Sequence, residues 1–133
     1  MPHTYLNPAT LPPTRGFSQI VLSRGTRLVH ISGQAALDAQ GQLVGGGNLE
    51  KQTEQTFENL TRALAAAGAT FNDVVMLRIF VVGLKPEHVP IIRGVRQRYV
   101  SLERPPASTL VGVQSLVGPD WLIEIEATAV LED

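Results

Sequence analysis

Residues 74–84 form a largely apolar run, broken by Arg78, that constrains the fold more than any other feature of the sequence. The length of the run suits a β-strand and is too short to span a bilayer. Because alternate residues of a strand point to opposite faces of a sheet, apolar side chains lie on both faces of this one. Helices of the same chain can cover one face, but Met76, Phe80 and Val82 lie on the other. We expect another copy of the chain to cover them, since a large exposed apolar face favours association.

Two segments with helical periodicity can cover the first face. Asn48 is a suitable N-cap, Gly68 suits the position just past a helix end, and apolar residues recur between them at helical spacing. These signals predict an amphipathic helix of about 20 residues. Pro86 suits the first turn of a second helix, which Pro105 and Pro106 end. The apolar face of this second helix is formed by Val89, Ile92, Val95 and Tyr99.

The remaining strands are predicted at residues 17–23, 26–32, 107–113 and 122–131, with a short one near Leu43. Arg24 and Gly25 are predicted to form a turn that joins the first two. The order is strands, helix, strand, helix and two strands. This order predicts an α+β fold with a mixed sheet and two helices on one face.

Length and charge limit the classes of protein to consider. The 133 residues suit a single domain over 1–133, with the proline-containing residues 1–15 as an extended lead-in. A net charge of -1 gives no general attraction to nucleic acid or to an anionic membrane, and we expect neither partner. The first residues lack the basic start and apolar stretch of a signal peptide, so we expect a cytoplasmic protein.

The sequence predicts no metal site and no cofactor. The absence of cysteine excludes thiolate catalysis and Cys-type zinc sites. His3, His30 and His88 lack the spacing of metal ligands, and the glycines at 45–47 lack the lysine of a phosphate-binding loop. The sequence also shows no His/Lys acid–base pair for RNA cleavage.

Five short segments, taken in order, carry a family resemblance. They are Gly-Phe-Ser-Gln at 16–19, Ser-Gly-Gln at 32–34, the helical pattern Gln55…Asn59-Leu60…Ala67-Gly68, Pro-Ala-Ser-Thr at 106–109 and Ile-Glu-Ile-Glu-Ala at 123–127. Together they span about residues 16–131, and the chain resembles the RidA (YjgF) family. The resemblance implies a chorismate-mutase-like fold, a homotrimer with ligand clefts between subunits, and hydrolysis of imines and enamines such as 2-aminoacrylate to ammonia and a 2-keto acid. Some relatives were described as endoribonucleases or translation inhibitors.

The resemblance also implies the site residues. Glu124 matches the glutamate that orders the attacking water, and Ser32 and Gly33 match a turn that lends backbone groups to the cleft. Ser108 stands where the family has the arginine that binds the substrate carboxylate. The other matching positions are Phe17 for a tyrosine, Arg93 for an asparagine, Thr109, and Leu110 for a cysteine whose backbone carbonyl faces the cleft.

Each of these positions also has an ordinary structural reading. Glu124 and Glu126 alternate with apolar residues and could form a solvated strand face. Arg93 belongs to a group with Arg96, Arg98 and Arg104 that could form the solvated side of the second helix. The sequence therefore leaves three functions open. They are a binder of small metabolites between subunits, a hydrolytic deaminase of an imine other than the family's usual substrates, and, more weakly, an endoribonuclease or translation inhibitor.

Overall fold

The computed structural model describes residues 3–132. Its strands are β1 (Thr4–Leu6), β2 (Ile20–Leu22), β3 (Arg27–Gln34), β4 (Val74–Val82), β5 (Ala107–Val113) and β6 (Ile123–Leu131). Its helices are α1 (Leu49–Ala66) and α2 (His88–Arg96), and a single 3₁₀ turn spans Phe71–Asp73.

The main sheet has the strand order β3-β6-β4-β5. β6 pairs antiparallel with both β3 and β4, whereas β5 pairs parallel with β4. A parallel pair needs a crossover connection, and α2 lies in the one between β4 and β5. The predicted α+β fold with two helices and a mixed sheet is confirmed.

Both helices contribute to one core against one face of the sheet. The buried side chains that β4 contributes to this core are Val74, Leu77, Ile79 and Val81. They join Phe57 of α1 and Ile92 of α2 in one cluster of buried residues. Each fully buried side chain of this size stabilises the fold by about 1.5–3 kcal/mol relative to exposure, so this cluster holds the helices on the sheet.

The first helix follows its sequence signals closely. The side chain of Asn48 accepts a hydrogen bond of 2.9 Å from the backbone N–H of Lys51, and Gly68 follows the end with a φ of +76°. The second helix begins at His88, so Pro86 lies in the turn before the helix and not in its first turn. Tyr99 lies beyond the end of α2, but its ring still stacks on that of Phe57 at 5.1 Å between centroids.

The predicted hairpin with a turn at Arg24 and Gly25 is wrong. β2 pairs antiparallel with β1, with Leu6 opposite Ile20, and forms a separate two-stranded sheet. β3 pairs with β6 instead, and the backbone N–H of Thr26 donates to the carbonyl of Leu131. The partner of β2 is β1, which lies within the predicted lead-in. The lead-in also contains a turn, in which the backbone N–H of Leu11 donates to the carbonyl of Pro8. Met1 and Pro2, like Asp133 at the other end, lie outside the described residues.

Within residues 3–132, the second face of the sheet carries no helix, and we call it the open face. Met76, Phe80 and Val82 of β4 lie there, with Phe80 between Glu124 of β6 and Val111 of β5. The short strand predicted near Leu43 is reduced to a single bridge with Leu37. Among residues 3–132, no helix is long and apolar enough to cross a membrane.

Candidate functional site

The residues that the sequence analysis selected fall into two groups in the folded chain. Phe17, Arg93 and Ser108 lie around the start of β5, at one edge of the sheet. Ser32, Gly33 and Glu124 lie where β3 meets β6. We call the first group, together with Gly16 and Arg96, the arginine half, and the second group the glutamate half.

The arginine half is held together by Ser18. The buried Ser18 side chain donates a 2.6 Å hydrogen bond to the carbonyl of Pro105, and its backbone N–H donates to the carbonyl of Pro106 at 3.0 Å. Ser18 also forms a parallel bridge with Ala107. These contacts fix the turn that contains Phe17 next to the strand that carries Ser108.

Two arginines of the last turn of α2 approach this turn at Gly16. A Cβ atom on Gly16 would lie 2.7 Å from Nη2 of Arg96 and 3.8 Å from Cγ of Arg93. Gly16 also has a φ of +74°, which side chains other than glycine's disfavour. Glycine therefore lets both arginines pack against the backbone here.

Three polar groups of the arginine half have few or no partners. Within residues 3–132, the buried atoms Nε of Arg93 and Oγ of Ser108 have no hydrogen-bond partner. Arg96 is 7 % exposed, and its one hydrogen bond is a 3.4 Å contact with the carbonyl of Arg15. Burial lowers the pKa of the Arg96 guanidinium below its ordinary value, and the nearby charge of Arg93 lowers it further.

The arginines on and after the second helix therefore differ in exposure. Arg98 lies on the surface, where it forms ion pairs of 2.6 Å with Glu54 and 3.4 Å with Glu50. Such pairs are typical of a solvated helix face and contribute at most about 1 kcal/mol each. Arg96 is buried instead, which the sequence analysis missed. Its spacing of three residues from Arg93 places both on one side of a helix, but this spacing does not show whether that side is buried.

Neighbouring positions of β5 point to opposite faces of the sheet. Ser108 is paired with Leu77 and lies on the face that carries the helices, whereas Thr109 is paired with Arg78 and lies on the open face. Leu110 lies on the helix side, partly buried against the core. Of these three β5 positions, Ser108 is the one whose polar side chain lies on the side of Arg93.

The glutamate half is built on a bulge of β3. The pairing with β6 shifts register between Ile31 and Gln34, so Ser32 and Gly33 lie in the irregular part. The carboxylate of Glu124 lies against Gly33, because a Cβ atom there would overlap its Oε2 atom. Any side chain at position 33 would therefore displace the carboxylate.

Glu124 and Glu126 differ in their partners. Glu126 forms a 3.4 Å ion pair with Arg78 on the open face. In the part of the chain that the structure describes, Glu124 forms neither an ion pair nor a side-chain hydrogen bond. The unpaired carboxylate is the one that the sequence analysis selected.

The two halves do not meet within one chain. Glu124 lies on the open face beside Phe80, whereas Ser108 lies on the helix side beside Leu77. Two strand spacings, about 10 Å, separate β6 from β5. Within one chain, the two halves therefore face opposite sides of the sheet.

Comparison with known proteins identifies the family. The family model described as Endoribonuclease L-PSP matches residues 8–131. The chain belongs to the Endoribonuclease L-PSP family. This is the RidA (YjgF) family that the five sequence segments resemble.

Relatives within the L-PSP family cover nearly the full chain. One is named 3-aminoacrylate deaminase RutC, from Acinetobacter baylyi, and is 32% identical over 97% of this chain and 98% of that protein. Another is named 2-iminobutanoate/2-iminopropanoate deaminase, from Dermatophagoides farinae, and is 30% identical over 94% and 93%. A solved structure of the Rid family protein YyfB from Yersinia pestis, described as of unknown function, is 43% identical, covers 98% and 100%, and superimposes with a TM-score of 0.93.

Two polar residues of the helical pattern that this chain shares with the L-PSP family, Gln55 and Asn59, have a structural role. The side-chain amide of Asn59 donates to the carbonyls of Ala35 (3.0 Å) and Leu37 (2.8 Å), and its oxygen accepts from Gln55. These bonds hold the loop after the glutamate half against α1. The loop and the helix line an open cavity of about 460 Å³. The sequence did not predict this cavity. Its lining includes Gly33, Gln34, Asp38, Asn59, Arg62 and Trp121.

Proposed function

We propose that the chain acts in the cytoplasm as a homotrimer that binds a small carboxylate-bearing metabolite in clefts between subunits. Each cleft would combine the arginine half of one subunit with the glutamate half of the next. The observation that carries the proposal is the separation of two sets of unpartnered polar groups. Arg93 and Ser108 lie on one side of the sheet and Glu124 on the other.

The arginine half supplies what a carboxylate needs. A serine hydroxyl cannot form the two parallel charge-assisted bonds that an arginine at position 108 would form. Arg93 approaches the same region from α2, and its Nε is a buried donor with no partner in the described chain. A ligand carboxylate would satisfy this donor together with the hydroxyl of Ser108. The carboxylate would then be held from the helix and not from the strand.

The glutamate half faces the rest of the ligand. The Glu124 carboxylate, fixed against Gly33, is an acceptor for a ligand N–H group or for a water molecule. The open face that surrounds it is apolar at Phe80, which a neighbouring subunit would cover. This cover would exclude bulk water and strengthen the polar contacts in the cleft.

A hydrolytic deaminase is the second candidate, favoured by the unpaired Glu124 and by the deaminase names of two relatives that match almost end to end. In this reaction Glu124 would take a proton from water as the oxygen adds to the carbon of a C=N bond. This proton passes to the nitrogen and gives a carbinolamine, with a hydroxyl and an amino group on the same carbon. The proton of that hydroxyl then moves to the amino group, the C–N bond breaks, ammonia leaves, and a keto group remains. The substrate would be an imine that tolerates a carboxylate contact from Arg93 in place of one from position 108.

RNA cleavage is the weaker alternative. It would need an acid–base pair on a surface that attracts phosphates. The three histidines lie far apart in the chain, with His3 just before β1, His30 in β3 and His88 at the start of α2. His3 is buried, and Nδ1 of His88 accepts a hydrogen bond from the backbone of Lys85.

Calorimetric titration with pyruvate, the simplest 2-keto acid, tests the proposal. We expect saturable binding to the wild-type chain and loss of binding in Arg93→Ala. Arg24→Ala is the matched control, because Arg24 is exposed in the segment between β2 and β3, outside both halves. Light scattering on the same samples should give three times the mass of the chain for all three proteins. A stable monomer, or equal binding by Arg93→Ala, would contradict the proposal.

A further inference from the structure

The arginine half contains a second buried cation for which the described chain provides no counter-charge. Arg96 is 7 % exposed, and no carboxylate within residues 3–132 lies within ion-pair distance of it. Its one hydrogen bond is the long contact with the carbonyl of Arg15. A buried guanidinium left in this state is costly, because it has lost water and gained little in return.

The surroundings of Arg96 add positive charge instead of removing it. Arg93, one turn earlier on α2, shares the contact with Gly16 and depresses the pKa of Arg96 by its charge. Both arginines lie in the last turn of α2, where the helix dipole offers about half a negative charge. About half a negative charge is too little to balance the two full positive charges of Arg93 and Arg96.

We propose that Arg93 and Arg96 together bind a ligand with two carboxylates, so that the metabolite of the cleft is a short dicarboxylate. The inference rests on the proposed function and narrows its substrate class. Two adjacent guanidiniums match two carboxylates on a chain of about four carbons better than a single carboxylate, since each guanidinium then gains a charge-assisted pair. The hydroxyl of Ser108 is a further donor or acceptor at the same place.

Succinate and succinamate are the probes that separate one carboxylate from two. They have the same length, but succinamate replaces one carboxylate by a neutral amide. We expect the wild-type chain to bind succinate about tenfold or more tightly than succinamate, as measured by calorimetry at fixed ionic strength. Equal affinities would overturn the inference and leave the proposed function intact. If neither probe nor pyruvate binds, the proposed function itself fails.

The variant Arg96→Met tests whether Arg96 is the residue that binds the second carboxylate. We expect the variant to lose the preference for succinate while its affinity for succinamate changes by less than about threefold. Arg24→Met, at an exposed position between β2 and β3, should keep the preference. If Arg96→Met does not fold, Arg96→Lys replaces it, because lysine retains the positive charge on a side chain of different shape. We expect Arg96→Lys to bind succinate more weakly than the wild type and to keep part of the preference for succinate. An Arg96→Lys protein with wild-type affinity for both probes would contradict the inference.

A carboxylate of a second copy is the competing partner for Arg96. In that case Arg96→Met would dissociate the assembly. Any chains that remained associated would still prefer succinate, although they lack Arg96. Light scattering of Arg96→Met with and without succinate distinguishes the two. Dissociation with an unchanged preference would overturn the inference, whereas an intact assembly that has lost the preference supports it.

Discussion

The carboxylate of Glu124 occupies the space where a side chain on Gly33 would lie. Glu124 belongs to β6 and Gly33 to the bulge of the neighbouring β3. The bulge therefore sets the direction of the carboxylate, and the absence of a side chain at position 33 leaves room for it. The positions of the two residues are linked, although they lie 91 positions apart in the sequence.

Gly33→Ala should displace the Glu124 carboxylate without unfolding the chain. The added Cβ meets the far end of a flexible side chain, so we expect the free energy of unfolding to change by no more than about 1 kcal/mol. Binding of alanine, whose ammonium group can donate to Glu124, should weaken as it does in Glu124→Gln. Gly47→Ala is the control, because a Cβ atom there meets no other atom within 4 Å. Unchanged binding in Gly33→Ala would show that the placement of Glu124 is unimportant for the ligand.

Hydrolysis of 2-aminoacrylate should be slow. The serine at position 108 removes one charge-assisted pair, about 1.5–3 kcal/mol, and the orientation that it gives to the substrate. This corresponds to a rate about tenfold to more than a hundredfold below that of a relative with arginine at the position. An ammonia-release assay with both proteins side by side measures the difference. Equal rates would mean that the carboxylate contact of Arg93 orients this substrate as well as an arginine on the strand does.

Gln52 should be the polar side chain of α1 whose loss costs the fold most. It is fully buried, its amide donates to the carbonyls of Gly46 and Asp120, and its oxygen accepts from the N–H of Leu122. Gln52→Leu leaves these three backbone groups unpaired, so we expect a loss of about 3 kcal/mol in urea unfolding. Gln97→Leu, at an exposed position, should change the free energy by less than about 0.5 kcal/mol. A loss in Gln52→Leu no larger than that in the control would contradict this role.

Tyr99 should make the stability fall at alkaline pH. Burial, and then the 2.8 Å hydrogen bond that its hydroxyl donates to Glu58, raise the pKa of Tyr99 from 10.0 to about 12. Because the fold favours the neutral phenol, this contribution is complete below about pH 10 and is lost as the pH rises through about 12. Urea midpoints should therefore fall more steeply above about pH 10 in the wild type than in Tyr99→Phe. Parallel curves for the two proteins would rule the effect out.

Local patterns predicted most of the fold. Asn48 and Gly68 mark the ends of α1, a continuous apolar run marks β4, and alternation of apolar residues marks β6. These signals succeed because each acts within one segment. The pairing of β2 was predicted wrongly because strand partners are chosen by tertiary contacts. Two neighbouring strand-like segments favoured a hairpin, but β1 and β6 provide the partners instead.

The candidate site was predicted as a set of residues but not as an arrangement. Because Ser108 and Thr109 are neighbours on a strand, the sequence predicts that they point to opposite faces of the sheet. It does not predict which of the two lies on the same face as Arg93. The burial of Arg96 depends on its contact with Gly16, 80 positions earlier in the chain. On a helix, a buried arginine and a solvated one follow the same periodicity, so tertiary structure alone distinguishes them.

The central claim is that one ligand site takes its two halves from different subunits, and mixed assemblies test it most directly. Arg93→Ala and Glu124→Gln chains with different affinity tags are co-expressed, and trimers that carry both tags are isolated. Each such trimer contains one cleft with both native halves, so titration with alanine, whose carboxylate and ammonium group can each engage one half, should recover about one third of the wild-type sites. Trimers of either variant alone should recover none. If the mixed trimers also recover none, the halves belong to the same chain or to no common site, and the account is contradicted.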